Sequence, residues 1–260
     1  MHARALLFDI DGVLHVGETP IPGAREVLDW CRDAGIPHLF LTNTTSRPRA
    51  AIAARLENLG LPVPESAILT PVEAARDWLR ESGRHRVALF VPEATAREFG
   101  EFERVEGESG AQAVVLGDLG EAWDFHRLNR AFRLLMAGPD VALVALGMTR
   151  YWRAADGLRL DVGPFVAALA YATDRTPVVT GKPAAPFFHA ALERLGTEPG
   201  ETVMIGDDIR GDIGGAREAG LRALLVQTGK FRPQDLEGDL RPDGVLASVA
   251  DLPRWWREHA

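Results

Sequence analysis

One cysteine, Cys31, stands in 260 residues, so the chain can close no internal disulfide, and that fits a reducing cytosol. A lone thiol in an otherwise apolar helical stretch reads as a core residue. No apolar run approaches the roughly 20 residues that a membrane span needs. No signal-peptide pattern precedes the first strand, because the chain passes from a polar dipeptide straight into "ALLFDIDG". Basic blocks and RNA-reading motifs are missing as well, and the formal net charge is −8. That balance argues against nucleic acid or an anionic membrane surface as a partner. These absences predict a cytoplasmic protein. An apolar fraction of 46% and a charged fraction of 25% are ordinary for a globular chain, and the length suits one large domain or a core with a sizeable insertion.

What is present is an alternation of short apolar runs with amphipathic segments, the pattern of a parallel sheet covered by helices on both faces. Residues 6–8 read as the first strand, followed by the loop "HVGETPIPG" and a helix over 24–34. "IPHLFLTN" is a second strand that ends on Thr42 and Asn43. Ser46 is placed to cap the helix of "RPRAAIAARLENLG", with Pro48 in its first turn and Gly60 as its stop. "AILT" leads into a helix from about 72 to 82. From about 84 to 179 a second series follows, with strands in "RVALFV", "AQAVVLGD" and "VALVALG" and helices in "DFHRLNRAFRLLMAG" and "PFVAALAYAT". "RYWRAADGLRLD" reads as a hairpin with Asp156-Gly157 at its turn. The first series then resumes through "PVVTGKP", the helix "AAPFFHAALERLG", the strand "TVMIGDD", the helix "GGAREAGL", the strand "RALLVQTG" and a last strand and helix in "DGVLASVADLPRWW". The expectation is an α/β protein. Residues 1–82 and 180–260 form a Rossmann-like doubly wound parallel-sheet core, and residues 83–179 form an inserted α/β domain.

Three of the core strands end in polar residues: Asp9 and Asp11, Thr42 and Asn43, Asp207 and Asp208. Ligands of open α/β sheets bind beyond the carboxyl ends of the strands, so these groups are expected to converge. Two aspartates at i and i+2 on an extended chain point to the same side and repel unless a cation or a shared proton lies between them. Lys182, in the loop "TGKP" before a helix, can join them. Carboxylates, a hydroxyl and one lysine describe a site for a hard cation and a phosphoryl group. Mg²⁺ takes oxygen ligands, and a lysine is a compact charge for phosphate oxygens. An ionised aspartate can attack phosphorus, while a second carboxyl protonates the leaving oxygen and then activates water.

The chain resembles the phosphatases of the haloacid dehalogenase superfamily, all four of whose motifs it carries in order. "DIDGV" matches the first motif, which implies Asp9 as nucleophile and Asp11 as general acid and base, with Gly12 in support. "LTNTT" matches the second, with Thr42 and Asn43 binding phosphate. "GKP" matches the third through Lys182. "GDDIRGD" matches the fourth, with Asp207 as a metal ligand and Asp208 and Asp212 in support. The resemblance also implies Mg²⁺ as cofactor, held by Asp9, the main-chain carbonyl of Asp11 and Asp207. The insertion resembles the C2-type cap of the NagD-like subfamily, and "DGLRLDVGPFVAALAYAT", "GKPAAPFF" and "VMIGDDIRGDIGGA" bring the chain nearest to a group that includes phosphatases of phospholysine, phosphohistidine and pyrophosphate. It implies a small phosphorylated substrate and a homodimer formed through the cap. Arg150, Tyr151, Arg153 and Asp161 are the cap residues expected to choose the leaving group.

Each signal has an ordinary reading beside the functional one. An acid pair near a turn can cap it, Thr42 can simply end a strand, and Lys182 can be a solvated lysine. Asp208 either meets a metal-bound water or Lys182, or is solvated; Asp212 either supports the metal or caps "GGAREAG". His15 is expected to face solvent or to be structural, and the four cap residues can be the solvated and packing residues of a hairpin. The four motifs in order favour the phosphatase. Its substrates on this reading are phosphoramidates or pyrophosphate, the alternatives being sugar phosphates, nucleotides or pyridoxal phosphate. A phosphate-binding module with little turnover is the competing class, and the presence of Asp11 argues against it. A phosphonatase would need a cap lysine, which the stretch 84–179 lacks.

Overall fold

The computed structural model describes residues 3–45, 47–154 and 157–259, the side chains of 152–154 excepted. The chain divides into two compact units. One comprises 1–42, 49–69 and 182–260, and the other 43–48 and 70–181.

In the first unit, six parallel strands lie in the order Gly244–Leu246, Arg222–Val226, Thr202–Gly206, Ala5–Asp9, His38–Leu41, Ile68–Leu69. Every residue of Ala5–Asp9 and Thr202–Gly206 is buried, as strands covered on both faces must be. One face, carrying Leu6, Phe8, Phe40, Val203, Ile205 and Leu224, packs against the helices Ala24–Asp33, Arg49–Asn58 and Leu252–His259. The first of these helices buries Ala24, Val27, Leu28 and Cys31, an i, i+3, i+4, i+7 stripe, so the thiol is a core group and burial pushes it up to about 12. The helix Ala185–Leu195 buries Phe187, Phe188, Ala191 and Leu192. This is a doubly wound, Rossmann-like α/β sheet.

The second unit has its own parallel sheet, ordered Val178–Val179, Ala142–Ala145, Ala113–Leu116, Arg86–Phe90, Glu103–Arg104. Alternate residues serve opposite faces. Ala88, Phe90, Val114 and Leu116 pack with the helices Phe125–Met136 and Gly163–Thr173, and Val87, Leu89 and Val115 pack with the helix Pro71–Glu81 through Val72, Ala75 and Leu79. That second contact moves the boundary expected at 83. The helix 71–81 belongs with the inserted sheet, because its apolar stripe is buried there.

Two smaller departures from the sequence expectation are local, and the expected hairpin is present. The segment read as a plain loop after the first strand holds a short antiparallel ribbon, His15–Val16 against Thr19–Pro20. The helix expected at "GGAREAGL" is shortened to Gly215–Glu218 and preceded by a wide turn over Ile209–Gly214. Tyr151–Ala154 pairs antiparallel with Gly157–Leu160, while Asp156 of the expected turn and Ser46, the expected helix cap, lie outside the described residues. No helix among the described residues is long and apolar enough to cross a membrane.

Candidate active site

The direction of winding reverses between two central strands. From Ala5–Asp9 the chain steps outward through His38–Leu41 and Ile68–Leu69; it later returns to Thr202–Gly206 on the other side and steps outward the opposite way. Loops leaving such a switch point diverge and open a crevice at the carboxyl ends of the strands. Asp9 is the last residue of one of these two strands and Asp207 follows the other, with Phe8 in register with Ile205. Thr42 lies one residue beyond Leu41, the partner of Asp9 on the next strand, and is buried.

Asp9, Asp207 and Asp212 are buried and bring carboxylate oxygens within 4.8 Å of one another. Lys182, itself buried, sets Nζ 2.6 Å from Asp9 Oδ1 and 2.7 Å from Asp212 Oδ1. Asp212 Oδ2 accepts from the main-chain N–H of Asp207 (3.2 Å) and of Asp208 (3.1 Å), which fixes the turn leaving the strand. One ammonium does not balance three buried carboxylates. Burial, followed by repulsion from Asp207, pushes Asp9 up to about 6 against the pull of Lys182. Burial and Asp212 push Asp207 up to about 6 against the N–H of Lys230, and burial and Asp9 do the same to Asp212 against Lys182. Burial works against the charge on Lys182, but Asp212 and Asp9 outweigh it and hold the lysine above its ordinary range.

Asp207 has divided surroundings. Its Oδ2 accepts from Lys230 N at 2.7 Å, whereas its Oδ1 is buried with no hydrogen-bond partner among the described residues. A buried anionic oxygen without a donor is costly unless a cation takes it. Three carboxylates offering hard oxygen donors fit Mg²⁺, so Asp9, Asp207 and Asp212 could hold it. Gly12 explains its own identity here. Its φ is +90°, and a Cβ on it would lie 1.9 Å from Asp207 Oδ2.

The structure does not bring every expected residue into this cluster. The i, i+2 rule holds only while the chain stays extended, and the strand ends at Asp9. The side chain of Asp11 is therefore 57% exposed against 7% for Asp9, and its carboxylate is not among the three clustered ones. It faces His15 Nε2 at 3.7 Å. His15 is buried rather than solvent-facing. Its Nδ1 lies 3.0 Å from the Gly17 carbonyl, which can only accept, so Nδ1 donates that bond and Nε2 is the ring nitrogen turned to Asp11. The helix-cap reading of Asp212 passes to Asp208. Asp208 Oδ1 accepts from Arg210 N (3.0 Å) and Gly211 N (2.9 Å), and its Oδ2 lies 3.4 Å from Lys230 Nζ. Although burial opposes it, the Gly211 N–H and the Lys230 charge hold Asp208 below the usual carboxylate range.

Sequence reasoning missed Thr228, Gly229 and Lys230, which follow the strand neighbouring Thr202–Gly206 and contact Gly12 and Asp207. A signal was present. The chain has only two lysines among its 29 basic residues, and both stand at this cluster. Asn43 belongs to the second unit. With Thr44, Thr45, Asp118, Thr149 and Asp161 it lines a cleft of about 210 Å³ in that unit. Asp161 Oδ1 accepts from Val162 N at 2.7 Å, and burial, then Asp118, raises its carboxyl against that bond. Arg150 and Tyr151 are exposed, and the side chain of Arg153 lies outside the described residues.

Two family models match the chain: one described as haloacid dehalogenase-like hydrolase over residues 6–103, and one described as HAD-hydrolase-like over residues 179–252. The chain is 43% identical over 243 residues to haloacid dehalogenase-like hydrolase domain-containing protein 2 of Bos taurus, covering 94% of this chain and 91% of the relative. It is 37% identical over 262 residues to the phospholysine phosphohistidine inorganic pyrophosphate phosphatase of Homo sapiens, covering 99% and 95%. A p-nitrophenyl phosphatase from Archaeoglobus fulgidus superposes with a TM-score of 0.89 at 28% identity, over 98% of this chain and 100% of that one.

The acid cluster predicts how stability depends on pH. Asp9, Asp207 and Asp212 titrate near 6 in the fold and near 3.8 when unfolded, so the folded chain binds more protons between those values. Their contribution is fully present below pH 3.8 and is lost as pH rises through about 6. In metal-free protein this should lower the Tm between pH 4.5 and 7, and Mg²⁺ should raise the Tm more at pH 7.5 than at pH 5, as read by scanning calorimetry. A Mg²⁺ shift that is equal at both pH values would contradict the metal reading of the cluster.

Proposed function

Because the chain belongs to the haloacid dehalogenase-like hydrolase family and is a phosphatase of it, we propose that it hydrolyses small phosphorylated compounds in a Mg²⁺-dependent reaction that passes through phosphorylated Asp9. The observation that carries this reading is the buried Asp9 carboxylate at the switch point of the sheet, with Lys182 Nζ at 2.6 Å and two further carboxylates beside it.

An Asp9 oxygen attacks phosphorus, and the bond from phosphorus to the leaving group breaks as the new one forms. Asp11 gives its proton to the leaving oxygen or nitrogen. Water then attacks the same phosphorus while Asp11 takes the water's proton; the acyl-phosphate bond breaks, Asp9 is restored and inorganic phosphate leaves. The two carboxyls suit these roles because their surroundings differ. Asp9 is buried beside an ammonium, whereas Asp11 is exposed, apart from the clustered charge and next to His15. Lys182 and Thr42 hold phosphoryl oxygens. A bound Mg²⁺ supplies positive charge against those oxygens, with Asp9, Asp207 and Asp212, and by resemblance the Asp11 carbonyl, as the protein groups to hold it. The name of the human relative makes phosphoramidates and pyrophosphate the first substrates to test.

We assign the homodimer expected through the inserted unit to its hairpin. Tyr151 and Leu160 are cross-strand partners, Leu158 is two residues from Leu160 on the same side, and the three are 53%, 60% and 63% exposed respectively. Light scattering should give a dimer for the wild type and a monomer for Leu160→Arg; a wild-type monomer would contradict the assignment.

The function is tested by phosphate release from phosphoramidates, pyrophosphate, sugar phosphates, nucleotides and pyridoxal phosphate, with and without Mg²⁺. Release should need the metal, and Asp9→Asn should lower kcat by at least about 10⁴-fold while keeping the wild-type circular dichroism. Wild-type turnover in EDTA, or turnover within about tenfold of wild type by Asp9→Asn, would overturn the proposal.

A further inference from the structure

The loop after the strand Arg222–Val226 has no part in the chemistry above, yet it makes three separate contacts with the acid cluster and its support. Thr228 Oγ1 donates to the Gly12 carbonyl at 2.5 Å. Gly229 comes so close that a Cβ on it would lie 2.0 Å from Asp207 Oδ2 and 2.5 Å from Gly12 Cα. Lys230 donates its main-chain N–H to Asp207 Oδ2 at 2.7 Å, and its ammonium lies 3.4 Å from Asp208 Oδ2. Asp207 Oδ2 is therefore packed between two glycine backbones and bonded to a third residue. Oδ1 is left as the oxygen without a partner among the described residues.

We infer that Thr228, Gly229 and Lys230 form a positioning clamp that permits Asp207 to give a metal one oxygen only, and so selects Mg²⁺ over Ca²⁺. This rests on the metal reading of the cluster proposed above. The physical basis is the difference between the two ions. Mg²⁺ demands near-octahedral geometry at short distances, which one oxygen per carboxylate satisfies. Ca²⁺ gains affinity from higher coordination numbers, in which carboxylates commonly supply both oxygens. An Asp207 whose second oxygen is walled off by Gly12 and Gly229 denies Ca²⁺ that mode at no cost to Mg²⁺. The rigid hold also fixes the direction of Oδ1, which a small ion with strict angular demands needs more than a large one does. The left-handed φ of +60° at Gly229 and of +90° at Gly12 lets the two backbones approach from either side. Thr228 ties them together.

The test is direct metal binding by isothermal titration, with Mg²⁺ and Ca²⁺ each titrated into metal-free protein in the absence of substrate. The variants are Thr228→Val, which keeps the side-chain shape and removes the donor to Gly12, and Gly229→Ala, which forces Asp207 Oδ2 to move. In the wild type Mg²⁺ should bind more tightly than Ca²⁺. Thr228→Val should weaken Mg²⁺ about three- to tenfold, and Gly229→Ala more than tenfold, while Ca²⁺ affinity holds or rises, so that the ratio of the two narrows. If Gly229→Ala fails to fold, Thr228→Val decides by the same ratio. A folded Thr228→Val with the wild-type ratio overturns the clamp and leaves the metal site standing. A wild-type chain that binds no Mg²⁺ overturns the metal reading, and the clamp with it.

Discussion

The ammonium of Lys182, buried between the carboxylates of Asp9 and Asp212, is the interaction on which the rest of the site depends. Three carboxylates within 4.8 Å of one another in a buried crevice repel strongly, and the same low dielectric that sharpens the repulsion strengthens their attraction to a cation. Removing one partner of a buried ion pair typically costs about 3–5 kcal/mol, because it strands the other charge, against a total stability of about 5–15 kcal/mol for a domain. A fold gains nothing by assembling such a cluster for its own sake. Lys182 compensates part of the charge, a metal can compensate the remainder, and in the proposed reaction an incoming phosphoryl group meets a site whose charges are already in place.

Topology supplies what sequence distance would seem to deny. Asp9 and Lys182 are 173 residues apart, with the whole second unit between them. The doubly wound sheet resolves this by placing the first strand next to Thr202–Gly206, so that the earliest and the latest carboxylates of the site leave adjacent strand ends. The chain between them can grow its own sheet and core without altering that adjacency. The hydrogen bonds from Asp207 N and Asp208 N to Asp212 then turn the chain back at once and bring a third carboxylate to the same point.

Much of this was legible in the sequence because it follows from local rules. Continuous apolar runs such as "ALLF" and "VMI" announce parallel strands, and acids just beyond them announce a site at the carboxyl ends. Extrapolating a local rule past its element failed at Asp11, where strand alternation no longer applies after Asp9, and the third clustered carboxylate proved to be Asp212. The boundary near 83 failed for another reason: the helix 71–81 has an apolar stripe that either sheet could accept, and only packing assigns it to Val87, Leu89 and Val115. The loop 228–230 was illegible because backbone contacts and the close approach of two glycines leave no pattern in residue types. The lysine at 230, in a chain whose one other lysine is Lys182, was the one hint.

The central claim is that Asp9, and not a water held by the cluster, makes the first bond to phosphorus. It is tested by quenching the enzyme with acid during turnover, reducing any acyl phosphate with borohydride, and sequencing the peptide containing Asp9 by mass spectrometry. The account predicts homoserine in place of aspartate at position 9, only when substrate is present and not in Asp9→Asn. Reduction at any other carboxylate, or an unmodified Asp9 in protein that carries covalent phosphate elsewhere, would contradict it.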